Sequence, residues 1–295
     1  ASGNHNLLLF GPPGTGKTLL ASRLPGILPP MDRSEALTAM ALADLDGERL
    51  DTGLRRPFRA PHHSASAAAL TGGGSKPRPG EISRAHGGVL FLDELPEFPR
   101  RSLEALREPL ESGQITLSRA LYEVRYPARF QLVAAMNPCP CGYDGDVEKP
   151  CRCSPAQVER YRARISGPLL DRLDLHVHMP RVSATALLGR NRDSESSQTV
   201  RARVNEALQQ QLRRQGSSNA DLPNDALLAG CQLGKRERRC LEQAATTLGL
   251  SARSLYSTMK VARTIADLAA EPRVSEDHLG EALAFRQLQT IPGLA

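Results

Sequence analysis

Residues 6–18, Asn6-Leu7-Leu8-Leu9-Phe10-Gly11-Pro12-Pro13-Gly14-Thr15-Gly16-Lys17-Thr18, decide how the rest of the chain is read. The first five are an apolar run closed by Gly11-Pro12-Pro13-Gly14, which reads as a buried strand entering a loop. The last eight match G-x-x-x-x-G-K-[ST] in full, and Lys17 to Leu24 then reads as a helix stopped by Pro25-Gly26. Glycines in such a loop let backbone N–H groups turn inward on phosphate oxygens, and the helix N-terminus adds the positive end of its dipole. Lys17 supplies a cation for the β- and γ-phosphates, and the Thr18 hydroxyl suits Mg²⁺. Gly11 to Thr18, that is Gly11, Pro12, Pro13, Gly14, Thr15, Gly16, Lys17 and Thr18, are the candidate nucleotide cradle. The bland alternative is a glycine-rich strand–helix turn, but pattern and context coincide here.

A triphosphate hydrolase also needs a second strand that delivers a carboxylate to the metal. Val89-Leu90-Phe91-Leu92 reads as that strand, with Asp93 at its C-terminal edge, where ligands of parallel sheets collect. Glu94 follows and suits the orientation and deprotonation of an attacking water. Phe130–Ala135 is a third buried strand, running into Asn137-Pro138. Read by itself, Asn137 is a strand-end turn residue.

The remaining pattern divides the chain near residue 190. Ser34 is a candidate cap for a helix running to Leu45. Residues 51–88 are rich in Gly, Pro, Arg and His without a steady period, and read as a functional insertion. Its His62-His63 pair reads as surface or substrate-loop histidines. One helix is expected over Arg101–Ser112, with Leu103, Leu106 and Leu110 on one face. Ile115–Leu117 and Tyr122–Tyr126 form a hairpin, and alternation at Leu173, Leu175 and Val177 marks another strand. Residues 1–188 are therefore expected to form the nucleotide domain and 189–198 (GRNRDSESSQ) a linker. Helices near 199–214, 223–230 with 235–248, 252–270 and 276–288 fill a domain over 199–295.

The chain has 295 residues, a net charge of +6 and only 4% aromatic residues, with no Trp, which suits a helix-rich protein packed with Leu and Ala. The positive balance fits either attraction to a polyanion or a basic enzyme that binds nucleotide phosphates. No apolar run is long enough to span a membrane. The chain starts at Ala1, a few residues before a strand, as expected of a processed or excised fragment.

Of six cysteines, Cys139, Cys141, Cys151 and Cys153 form two C-x-C pairs, while Cys231 and Cys240 read as buried thiols. Beside a nucleotide motif, which implies a reducing cytoplasmic setting, the cluster favours a metal over disulfides. Four thiolates on one short loop suit a closed structural Zn²⁺ site. Reduced thiols, or disulfides formed in purification, are the rival readings.

Larger motifs point the same way. GPPGTGKT, PFRAPHHSASAAALTGGG, PGEISRAHGGVLFLDELPEF, NPCPCGY, GPLLDRLDLHV and SARSLYSTMKVARTIADLA resemble the YifB/ComM family, a magnesium-chelatase-related branch of the AAA+ ATPases. The resemblance implies an α/β P-loop NTPase fold, an αβα sandwich with a C-terminal α-helical lid domain. It also implies homo-oligomeric rings, usually hexamers, that hydrolyse ATP at subunit interfaces. Carried over by motif, Asn137 corresponds to sensor 1, Arg172 to the arginine finger that reaches a neighbour, and Arg253 to sensor 2, a lid residue on the γ-phosphate. Family members usually carry a Lon-protease-like domain before the nucleotide domain. Two insertions, near 55–80 and around Arg119, would face the ring's pore, with Lys76, Arg78 and Arg119 as candidate DNA contacts. Ordinary solvated loop charges are the competing reading of those three, since no aromatic stacking partner lies beside them. The implied activity is an ATP-driven helicase or branch-migration motor in recombination of taken-up DNA (natural transformation). The alternative is a chelatase-like or protein-remodelling subunit that drives a partner protein without touching DNA.

Overall fold

A computed structural model describes residues 1–45, 47, 55–74, 77–119, 122–183 and 195–286, with the side chains of Arg119 and Tyr122 left out. Five strands form one sheet: β1 (Leu7–Phe10), β2 (Phe58–Arg59), β5 (Val89–Leu92), β8 (Gln131–Met136) and β9 (Leu175–His178). The order is β2-β5-β8-β1-β9, and every pairing is parallel. All six residues of β8 and all four of β5 are buried, as expected for strands covered on both faces.

The sheet's two faces follow from strand alternation. Leu9, Phe91, Val133 and Ala135 pack on one side with Ala21 of helix α1 (Lys17–Arg23) and with Leu28. Leu8, Leu90, Leu132 and Ala134 pack on the other, against Ile82, Leu103, Tyr161 and Leu169. Those four come from α4 (Glu81–Arg84), α5 (Arg100–Glu104), α7 (Pro155–Arg162) and α8 (Gly167–Leu170). Helices α2 (Arg33–Asp44), α3 (Ala67–Thr71) and α6 (Arg107–Ser112) complete this layered part. The αβα sandwich expected from the sequence is the observed fold.

Several local expectations need correction. The cap of α2 is Asp32 rather than Ser34: its side chain accepts from the Glu35 amide at 2.8 Å, and Glu35 accepts from the Asp32 amide at 3.1 Å. The single helix expected over 101–112 is broken into α5 and α6. Pro109 has no N–H for the carbonyl of Ala105, so one continuous helix cannot close there. The segment 51–88 is not merely an insertion. Phe58 and Arg59 pair with Val89 and Leu90 as the edge of the main sheet, and Leu70 and Ile82 are fully buried. Elements this short, including the hairpin of β3 (Gly72–Gly73) and β4 (Arg78–Pro79), leave no periodicity to read. The hairpin of β6 (Gln114–Arg119) and β7 (Tyr122–Pro127) lies where alternation placed it.

The C-terminal part is helical: α9 (Ser197–Gln215), α10 (Asn224–Cys231), α11 (Lys235–Leu248), α12 (Ala252–Leu268) and α13 (Glu276–Ala284). Its own core gathers Leu227, Leu241, Met259, Ala262, Ala266 and Leu279. Most of the expected linker, 189–194, lies outside the described residues. Helix α12 docks on the sandwich through a ladder of serines spaced by three: Ser254 donates to Asp171 at 2.9 Å and Ser257 to Asp174. Asp174 also accepts from the Asn6 amide at 2.9 Å. Burial opposes charge on Asp174, but the nearby His5 ring at 3.7 Å and the bonds from Ser257 and Asn6 outweigh that and hold its pKa below the usual carboxylate value. The amide of His176 in β9 donates to the Phe285 carbonyl at 2.7 Å, so the end of the helical part covers that edge of the sheet.

Candidate functional site

The loop after β1 turns sharply into α1. Gly14 (φ 77°) and the cap residue Gly16 (φ 84°) both adopt left-handed backbone, which a side chain would strain. Lys17 is buried and folds back over the loop, donating to the Gly11 carbonyl at 2.7 Å, the Pro12 carbonyl at 2.8 Å and Asn137 Oδ1 at 3.2 Å. Burial lowers the Lys17 pKa, and the charge of Asp93 opposes that shift. Thr15 closes the turn by donating to the Pro12 carbonyl at 3.0 Å.

Three adjacent strands deliver the other groups to this loop. β8 lies between β1 and β5, with Phe10 opposite Met136 and Leu92 opposite Ala134. Asn137, Gly11 and Asp93 therefore all emerge at the C-terminal edge of the sheet. Thr18 Oγ1 donates to Asp93 Oδ2 at 2.6 Å, and Asp93 Oδ1 accepts from the Glu94 amide at 2.9 Å. The Thr18 and Asp93 oxygens are a hard-donor set that fits Mg²⁺. Glu94 has left-handed backbone (φ 54°, ψ 47°), uncommon for a residue with a side chain. Its carboxylate lies 3.0 Å from His63 Nδ1. Sequence reasoning left His63 as a surface or substrate-loop histidine; the Gly/Pro-rich stretch around it carries no signal of this pairing.

Arg172 and Arg253 are not at the phosphate loop. Both pair with Glu111, Arg253 at 2.7 Å, and both line a cavity of about 910 Å³ with Asn6, Phe130 and Asp174. Asn6, Phe130 and Asp174 precede β1, β8 and β9, so this cavity sits at the N-terminal edge of the sheet, opposite the loop. Arg172 is buried and also donates to the Pro168 carbonyl at 2.5 Å. The pKa of Glu111 is lowered, chiefly by the Arg253 hydrogen bond. Within one chain Arg253 thus lies at the edge of the sheet where the helical part docks, away from the phosphate loop. Glu111, the acid that joins the two arginines, was not singled out in the sequence.

The four clustered cysteines converge, their sulfur atoms within 4.8 Å of one another. The separations Cys139–Cys141, Cys139–Cys151 and Cys141–Cys151 are 3.4, 3.6 and 3.6 Å. A tetrahedron of thiolates around zinc has edges of about 3.8 Å, from arms of about 2.3 Å. The Cys153 amide also points at Cys151 Sγ, at 3.4 Å, the kind of N–H···S contact that supports a ligating thiolate. Of the residues expected on the pore loops, Arg78 is exposed on β4, Arg119 ends β6, and Lys76 lies outside the described residues.

Two family models cover this architecture: magnesium chelatase subunit ChlI over residues 1–187, and the ChlI C-terminal model over 194–286. The chain is 51% identical over 296 residues to the uncharacterized protein YifB of Salmonella typhimurium, and 49% identical over 290 residues to the competence protein ComM of Haemophilus influenzae. These alignments take in 99% and 98% of this chain but 58% and 57% of the relatives, so the chain spans a little over half their length. The magnesium-chelatase 38 kDa subunit of Cereibacter sphaeroides is 28% identical over 153 residues, 46% of each chain. With a five-stranded parallel sheet, a phosphate loop after β1 beside its central strand and a family model spanning residues 1–187, the chain belongs to the magnesium-chelatase ChlI family of AAA+ proteins, in its YifB/ComM branch.

Proposed function

We propose that the chain is the ATP-hydrolysing part of a ring-forming motor that acts on DNA. One observation carries the hydrolytic reading: Lys17, Thr18, Asp93, Glu94 and Asn137 converge at the C-terminal edge of three neighbouring parallel strands. In this reading the backbone N–H groups of residues 14–18 and the Lys17 ammonium hold the triphosphate, exchanging the loop carbonyls that Lys17 now contacts for phosphate oxygens. Thr18 and Asp93 would hold Mg²⁺, which spreads the negative charge of the phosphate oxygens when bound. Asn137 orients the attacking water, and Glu94 accepts its proton as the bond from the γ-phosphorus to the β,γ-bridging oxygen breaks and ADP leaves. His63 holds the Glu94 carboxylate before substrate arrives and releases it to the water.

Arg172 and Arg253 act on the site of a neighbouring subunit. The support is their shared place at the opposite edge of the sheet, with Glu111 as the counter-ion that a neighbour's phosphate displaces. Homo-oligomeric rings, hexameric by family resemblance, would bring those arginines to a neighbour's phosphate loop. The Cys139, Cys141, Cys151 and Cys153 cluster is a structural zinc site, supported by its sulfur separations.

The DNA reading draws on the net charge of +6, on the exposed Arg78, and on a relative named as a competence protein. Arg119 and Lys76 complete the proposed contacts. Helicase or branch-migration work in recombination is its concrete form. Among the described residues no helix is long and apolar enough to cross a membrane. The match to a magnesium chelatase subunit favours a second reading, a motor that drives a partner protein. Phosphate release with Mg²⁺ and ATP, with and without DNA, separates the two. The motor reading expects hydrolysis that Lys17→Ala abolishes together with nucleotide retention, stimulation by DNA, and DNA binding that falls steeply with salt. DNA that alters neither rate nor oligomer transfers the chain to the partner-driven reading, and unaltered hydrolysis in Lys17→Ala removes the proposed site.

A further inference from the structure

We infer that the four-cysteine loop is a wall of the nucleotide site, so that its metal occupancy sets the affinity for nucleotide. The inference rests on the zinc reading above and on the identity of the phosphate loop. Its basis is contact. β8 ends at Met136, Asn137 follows, and Cys139, a fully buried ligand, lies only two residues beyond the amide that touches Lys17. The loop then turns back on itself, the Gly142 amide donating to the Cys139 carbonyl at 2.9 Å. That turn seats Gly142 against the phosphate loop. A methyl group on Gly142 would come within 2.8 Å of Pro13 Cδ and 3.9 Å of Asn137 Cγ, and its φ of 85° already favours glycine.

The loop has little else to hold it in that place. Within residues 139–153 only Cys139 and Gly142 are buried, so there is no apolar core of its own. Arg162 pins its first part, donating to the Pro138 carbonyl at 3.1 Å and to Asp144 at 2.6 Å, and Arg181 holds Asp146 at 3.0 Å. The far end runs from Cys153 straight into Ser154, the cap of α7. Segments without a core depend on a metal or another cross-link for their fold. A divalent ion on the four sulfurs joins the two ends of the loop and presses Gly142 onto Pro13. Without the ion, four thiols crowd within 4.8 Å, and the turn that bears on Pro13 and Asn137 is left to the Gly142 hydrogen bond and the Arg162 and Arg181 contacts.

The test combines metal analysis with nucleotide affinity. Zinc content is measured on the purified protein, then a zinc-selective chelator is applied under reducing conditions with Mg²⁺ in excess, and binding of a fluorescent ADP is titrated. The metal-free protein, its helical content checked by circular dichroism, is expected to bind at least about tenfold more weakly, a loss of about 1.4 kcal/mol, and to recover on adding one equivalent of zinc. Gly142→Ala separates contact from folding: it should keep its zinc yet bind nucleotide about tenfold more weakly, because the added methyl pushes on Pro13. Protein that holds no zinc and takes none up overturns the metal reading and this inference with it. Protein that loses zinc and keeps its nucleotide affinity, or a Gly142→Ala variant with unchanged affinity, overturns the inference and leaves the metal site standing. Zinc-replete wild-type protein that binds no nucleotide points instead to failure of the phosphate-loop reading.

Discussion

Glu94 is held at two points, its backbone N–H donating to Asp93 Oδ1 at 2.9 Å and its carboxylate lying 3.0 Å from His63 Nδ1, in a backbone pose few side chains adopt. Glu94→Gln keeps the shape and removes the proton acceptor. Turnover should drop by at least about 100-fold while nucleotide retention survives, measured by phosphate release beside binding. Turnover at the wild-type rate would take Glu94 out of its proposed role. Residues of this kind were legible in the sequence because their chemistry is written in consecutive positions: a loop of eight, and two acids closing an apolar run. His63 and Glu111 were not. Glu111 meets its arginines across 61 and 142 residues of chain, and a contact that distant leaves no pattern in either neighbourhood.

Among the elements, β9 carries an unusual burden. His176, buried between the sheet edge and the helical part, has its pKa lowered to about 4, mainly by loss of water and next by the positive charge of Arg286. The ordinary value is 6.5, so between 6.5 and 4 the unfolded chain binds more protons than the folded one. Stability contributed by the neutral imidazole is present above pH 6.5 and is lost as pH falls toward 4. Urea unfolding at about pH 7.5 and about pH 5 should differ by about 2 kcal/mol from this residue, and His176→Leu should flatten that part of the slope. Equal slopes in both proteins would assign the acid sensitivity elsewhere. Central strands were readable because they are unbroken apolar runs. β2 was not, since two residues carry no period. The break between α5 and α6 was written in Pro109 but masked by the leucine spacing on either side. The C-terminal helices lie within a few residues of their expected bounds because each repeats its apolar face over two turns or more.

For the molecule as a whole, the decisive distance is the thickness of the sheet along its strands. β1 has four residues, about 13 Å of extended chain, and the Glu111 cluster and the phosphate loop lie beyond its opposite ends. Arg172→Ala should therefore bind nucleotide as a single subunit yet fail in an assembled ring. Mixing it with Glu94→Gln subunits should restore some hydrolysis, because an intact Glu94 then faces an intact Arg172 at some interfaces. Absence of recovery at every mixing ratio would count against action between subunits. The sandwich, the helical domain and the family were all visible in the motifs. Where the helical domain docks was not, because it depends on the Ser254–Asp171 and Ser257–Asp174 bonds rather than on any run of residues.

The six residues of β8 are buried and paired with β5 on one side and β1 on the other, so the strand ends bearing Asp93, Asn137 and the phosphate loop are clamped as one stiff plate. A plate of that kind behaves like an anvil, unmoved by what strikes the parts mounted on its rim. In the proposed motor, any movement driven by hydrolysis would therefore fall to segments at the rim, such as the one that carries His63, with the sheet as their fixed frame.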